Sequence, residues 1–178
     1  DLYLAHFAVT DVSRSQFRFR ERLSRAGPGL AGARTDKMAL WVLNWSASMK
    51  GSLISLEVKS SEMELTLTLT PGKPLVLHGQ NGFSRKGPGE GQASYYASFT
   101  DLESRGFLKT HPASSPVAVR GKSWFDHEFG SNQLSPNQQG WDWFSLHLSD
   151  GRDLMIYFLR LKDGSIEPAS SGTVVAPD

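Results

Sequence analysis

The sequence predicts an antiparallel, barrel-like β domain. Apolar and polar residues alternate with a period of two along most of the chain, glycine-containing turn pairs separate the alternating runs, and helical periodicity is nearly absent. The 178 residues, 39% of them hydrophobic, suffice for one domain or one lobe of something larger and exclude a disordered chain.

About ten short strands are expected, near residues 3–10, 16–21, 39–46, 52–59, 62–70, 94–101, 116–120, 123–129, 141–148 and 153–161. Phe17 and Phe19 alternate with Arg18 and Arg20, which favours a strand over the rival helix at 14–25. Ile54, Leu56 and Val58 alternate with Ser55, Glu57 and Lys59, and Leu65, Leu67 and Leu69 with three threonines, as half-buried strands do. Pro71-Gly72 closes the latter run. Asp150-Gly151 and Asp163-Gly164 carry the strongest hairpin signals, because both residue types tolerate positive φ. The glycine-rich stretch from Gly79 to Gln92 lacks a Walker pattern, so it reads as a flexible surface loop rather than a phosphate cradle.

Two strands are apolar on both faces. Trp141 and Trp143 oppose Phe144, Leu146 and Leu148, while Met155, Tyr157 and Leu159 oppose Leu154, Ile156 and Phe158. A strand of that kind is covered on both faces. The 141–161 hairpin is therefore expected to pack against a second lobe, a partner or a subunit. Thr173-Val174-Val175 reads as the start of a further strand, as expected of a truncated or partnered protein, with simple fraying of a terminus as the alternative for this run.

Composition excludes several chemistries. There is no Cys, hence no disulfide, thiolate zinc site or iron–sulfur cluster, and this fits a reducing compartment and a periplasm alike. No apolar run reaches the roughly 20 residues that span a bilayer, so the chain is not read as transmembrane. A net charge of +1 argues against a nucleic-acid partner. No His spacing suits a metal, and no Gly-x-Ser-x-Gly elbow occurs.

The chemistry concentrates in Gly121–Gly130. In an extended chain Trp124, Asp126 and Glu128 share one face, and Phe125, His127 and Phe129 the other. Two carboxyl groups about 7 Å apart in an apolar setting could split their roles into acid and base. The structural alternative ties them to main-chain amides or an arginine. Asp126, Glu128 and the adjacent His127 are thus the candidate catalytic residues. A second cluster puts Trp141, Trp143, Ser145 and His147 on one face, suited to a cavity wall or to plain core packing. Trp124 joins that wall. Tyr95 and Tyr96 point to opposite faces, so one of them faces any lumen, and His78 is placed at a rim.

The strings Lys73–Gly79, Gly82–Gly87, Ala93–Tyr96, Gly121–Glu128, Gly140–Phe144, Asp150–Tyr157 and Leu159-Arg160 resemble the AttH-like / carotenoid 1,2-hydratase family. The resemblance runs in order from about His6 to Gly172. It implies two lipocalin-like β lobes, with residues 1–178 as the N-terminal one. It also implies a hydrophobic cavity shared more securely than any reaction, since the family holds carotenoid hydratases, predicted secreted hydrolases, a virulence-associated protein and relatives of fungal pericyclases. The expectation is an isoprenoid- or lipid-like ligand, with hydratase or hydrolase chemistry that needs no cofactor. A non-catalytic lipid carrier and an interaction lobe are the alternatives. A periplasmic or secreted location follows from the same analogy.

Overall fold

The computed structural model describes residues 1–111, 113–131 and 134–177. The described residues form fourteen strands: β1 (Leu2–Asp11), β2 (Gln16–Arg25), β3 (Ala31–Ala33), β4 (Ala39–Val42), β5 (Trp45–Lys50), β6 (Leu53–Lys59), β7 (Glu64–Pro71), β8 (Val76–Leu77), β9 (Phe83–Arg85), β10 (Ala93–Lys109), β11 (Val117–Phe129), β12 (Gln138–His147), β13 (Asp153–Leu161) and β14 (Ser171–Val175). They form a β1–β2 hairpin, a nine-stranded sheet and a three-stranded β12–β13–β14 sheet. The chain divides into two compact units, Asp1–Thr70 with Glu103–Gly121, and Pro71–Leu102 with Lys122–Asp178.

The first unit is built by strand alternation. β1 and β2 pair from Leu2↔Arg25 to Asp11↔Gln16. β3 to β7 follow as an antiparallel meander. Phe7, Trp45 and Met63 form its core, and Val58, Leu65 and Leu108 pack against them. The Trp45 indole stacks edge-on to Phe7 at 6.1 Å and donates its N–H to the Lys59 carbonyl at 2.9 Å, so its one polar atom is satisfied. Beside this core lies an apolar hollow of about 240 Å³, walled by Phe7, Leu40, Trp41, Val42, Leu56 and Val58 among others.

The second unit carries the polar interior. β12 and β13 pair without interruption from Gly140↔Arg160 to His147↔Asp153, and β14 adds to β13. Met155, Tyr157 and Leu159 point inward against Tyr96, with Trp124 and Leu134 packed on them. The opposite side of the same hairpin leaves Phe144, Leu146 and Phe158 exposed. The Asp150-Gly151 and Asp163-Gly164 turns form where expected, each glycine at positive φ.

Several expectations need correction. Among the described residues no sheet closes on itself, so the fold is all-β and antiparallel without being a closed barrel. The expected strand at 39–46 is two strands, β4 and β5, because Leu43 takes φ 56° and donates its N–H to the Leu30 carbonyl. The expected strands at 116–120 and 123–129 are one, β11, and β10 runs on to Lys109. The stretch from Gly79 to Gln92 is more than a surface loop. Asn81 and Gly82 both take positive φ in a tight turn, β9 follows, and Ser84 and Lys86 are buried. A Cβ at Gly79 would lie 2.3 Å from the Phe83 carbonyl oxygen, so that position accepts glycine alone.

Candidate functional site

The site grows from alternation along β10 and β11 within the second unit. Ser94, Tyr96, Ser98 and Thr100 of β10 all point inward and are buried. Tyr95 points the other way, where it stacks on Phe129 at 5.5 Å. Trp124, Asp126 and Glu128 of β11 share the inward face and meet the β10 residues. The Trp124 Nε1–H donates to Asp126 Oδ1 at 2.7 Å, the Ser98 hydroxyl donates to the same oxygen, and the Ser94 hydroxyl donates to Glu128 Oε1 at 2.6 Å. The structure leaves His127 on the outer face against Phe129, apart from the two carboxylates.

His78 is fully buried rather than at a rim. Its Nδ1 lies 2.9 Å from Thr173 Oγ1 and its Nε2 lies 2.7 Å from Ser98 Oγ. Because Ser98 spends its proton on Asp126, its oxygen accepts from His78 Nε2–H. Nδ1 then accepts from Thr173, which fixes one neutral tautomer. Burial holds the His78 imidazole below its ordinary range, aided by the positive charge of Lys86 and opposed by Asp126 and Glu128.

Lys86 is the residue that the sequence reading missed. Its main chain is clamped by the Gln138 amide, which donates to its carbonyl at 2.6 Å, and by its own N–H bond to the Gln92 carbonyl. Its ammonium pairs with Glu128 Oε1 at 2.9 Å and lies 4.0 Å from the Tyr157 ring centroid and 5.2 Å from that of Tyr96. Glycines crowd around this lysine in the sequence, but nothing there marks it as buried. Lys86, Glu128, Tyr96, Tyr157, Trp141 and Trp143 line a pocket of about 50 Å³, with Leu134 and Leu159 completing it. That is room for a few waters or the end of a molecule, well short of a typical whole-ligand cavity. Trp141 is 54% exposed and forms its rim.

Behind the pocket, Tyr96 receives the Trp143 Nε1–H at 2.9 Å. Burial first, and then the negative charge of Asp126, push its phenol well above the ordinary range. Trp124 stands edge-on to Trp143 at 6.4 Å and does not line the pocket itself. His147 packs on Trp124 and pairs with Asp153 at 2.8 Å. Asp153 also accepts from Lys73 Nζ at 2.8 Å and Thr100 at 2.9 Å. Burial opposes the charge on Asp153, but these bonds outweigh it and hold the carboxyl below the usual range. Among the described residues no group of three or more His, Asp or Glu is placed to hold a metal ion, and no helix is long and apolar enough to cross a membrane.

A family model described as AttH-like matches residues 1–178. A crystal structure of an AttH protein from Nitrosomonas europaea is 35% identical, with a TM-score of 0.85 over 99% of this chain and 57% of the other. Kievitone hydratase from Nectria haematococca is 13% identical, with a TM-score of 0.72 over 96% of this chain and 54% of the other, and shows likeness of fold. The chain thus spans a little over half the length of these two proteins. No curated protein matches it.

Proposed function

The chain belongs to the AttH-like family, and on that premise we propose that it is the N-terminal lobe of a lipocalin-like protein whose aromatic pocket receives the end of a hydrophobic, isoprenoid- or lipid-like ligand and adds water to it by acid–base chemistry without a cofactor. The observation that carries the reading is a carboxylate, Glu128, lining a pocket walled by Trp141, Trp143 and Tyr157. The fold likeness to kievitone hydratase supports the same class of reaction.

In this reading Asp126, a carboxylate between turnovers, takes up a proton for each turnover and passes it through the Tyr96 hydroxyl to an alkene carbon. The indole and phenol faces stabilise the resulting cation. A water held by Glu128 forms the new C–O bond and yields its proton to that carboxylate, so atoms and charge balance. General acid and base roles of this kind contribute about 10²–10⁴-fold each. The test is incubation with an acyclic isoprenoid alkene such as geraniol in ¹⁸O-water, followed by mass spectrometry. The expected product carries one added labelled water, and Asp126→Asn and Glu128→Gln each abolish most of it. Full turnover in both variants would sink the assignment.

A second reading, a carrier without chemistry, is favoured by the apolar hollow of the first unit. It predicts ligand retention with no product. The partner of the 141–161 hairpin is a second lobe in either case, a proposal supported by the exposed Phe144, Leu146 and Phe158 and by the share of the relatives that the chain covers. An exported location belongs to the same proposal and rests on the family resemblance.

A further inference from the structure

We infer that the pocket of the second unit selects ligands by a neutral hydroxyl group, which donates to Glu128 and accepts from Lys86. The inference rests on the reading of that pocket as a hydrophobic-ligand site and names the chemistry at its floor. Glu128 Oε1 is already engaged by the Ser94 hydroxyl and the Lys86 ammonium. Its second oxygen has no partner among the described residues, and the side chain is 32% exposed where it lines the pocket. Lys86 Nζ donates to Glu128 and has no second hydrogen-bond acceptor among the described residues, with the Tyr157 and Tyr96 ring centroids 4.0 and 5.2 Å away. The floor therefore offers an acceptor and a donor side by side, fixed by a clamped main chain.

Three ligand classes can be compared by charge alone. A carboxylate end gains Lys86 and is repelled by Glu128. An ammonium end gains Glu128 and is repelled by Lys86. A hydroxyl satisfies both, because its oxygen accepts while its hydrogen donates. An ether accepts and cannot donate, so it leaves Glu128 unmatched. The volume agrees, since about 50 Å³ admits a hydroxyl and the few carbons that bear it. The apolar remainder then lies on Trp141 at the rim.

Four octyl probes test this on the full chain: 1-octanol, 1-methoxyoctane, octanoate and octylammonium. Binding is followed by the NMR signal of the Trp143 Nε1–H, assigned with Trp143→Phe. The expected result is octanol tighter than each of the other three by about tenfold, the scale of one well-placed hydrogen bond. Glu128→Gln and Lys86→Met are expected to narrow that gap while retaining the weaker apolar binding. Comparable binding of all four to the unmodified protein overturns the hydroxyl selectivity and leaves the hydrophobic site standing. Tightest binding of octanoate or octylammonium overturns it as well. Binding of none overturns the hydrophobic site and the selectivity together.

Discussion

The two units hold two different hollows. That of the first unit is nearly five times larger in volume, at about 240 against 50 Å³, and is walled mostly by aliphatic and aromatic carbon, with His6 and Ser46 as its polar side chains. The Trp45 indole N–H is spent on the Lys59 carbonyl. Such a surface can hold an apolar body and has little with which to orient one. The smaller pocket is lined by an ion pair between a buried lysine and a partly exposed glutamate, two phenols and two indoles, so it can orient a reacting end and has no room for the rest of a long molecule. Volume and chemistry are thus separated in this chain.

The sharpest way to break the comparison is to remove the charge that the second unit buries. Lys73→Met strips Asp153 of its ammonium partner in a position where both side chains are almost fully buried. A cost of roughly 3–5 kcal/mol is expected, because the buried carboxylate stays behind without its ammonium and keeps Thr100 and His147 as partners. Chemical denaturation measures it, and a loss below about 1 kcal/mol would mean that the polar interior of this unit is not structural. The counterpart in the first unit is Met63→Ala. Met63 is fully buried against Phe7 and Trp45, so the expected loss is about 2–5 kcal/mol from transfer and cavity terms. The Trp143 indole signal and its response to octanol should be unchanged in that variant.

The part of this arrangement that could be read from the chain is the part set by period two. Alternation alone puts Trp124, Asp126 and Glu128 on one face of β11 and His127 on the other, and the structure agrees residue by residue. It equally separates Tyr95 from Tyr96, but which of them points inward depends on the strand's neighbours and was open. Alternation says nothing about loops. Asn81-Gly82 forms a tight turn that starts β9 and leads to the buried Lys86, inside a stretch whose glycine content reads as a surface loop. Lys73 and Lys86 are buried because their acidic partners lie 80 and 42 residues away in sequence, at Asp153 and Glu128. No local pattern encodes such a pairing. The burial of His78 is hidden from the sequence for the same reason, since its partners Ser98 and Thr173 are distant in the chain.

A smaller effect sharpens the role of the larger hollow. A Cβ on Gly32 would sit 2.6 Å from Cζ2 of Trp41, which walls it. Gly32→Ala must push that indole aside, at an expected cost of about 1–3 kcal/mol. If the hollow receives apolar molecules, its uptake of an environment-sensitive dye such as 1-anilinonaphthalene-8-sulfonate changes in the same variant. Unaltered dye binding would show that the hollow is not a site of entry.

The smallest effect is the most specific to the second unit, because it concerns one proton on His78. Burial depresses the imidazole below its ordinary 6.5 in the folded protein. The unfolded chain keeps the ordinary value, so between the two values the unfolded state binds a proton that the folded state refuses. The stabilisation is complete above about 6.5 and is lost as the pH falls through the folded value, at about 1.4 kcal/mol for each unit by which the two differ. His78→Gln keeps an amide oxygen for Thr173 and an amide N–H for Ser98 while removing the titration. Because the protein holds four other histidines, the quantity to follow is the difference in unfolding free energy between the parent and the variant. That difference should shift against the parent on going from about pH 7.5 to 5.5. A difference that stays flat would mean that His78 takes up its proton inside the fold. The bond from Nδ1 to Thr173 would then have to reverse, and the directed chain from Thr173 through His78 and Ser98 to Asp126 would not hold.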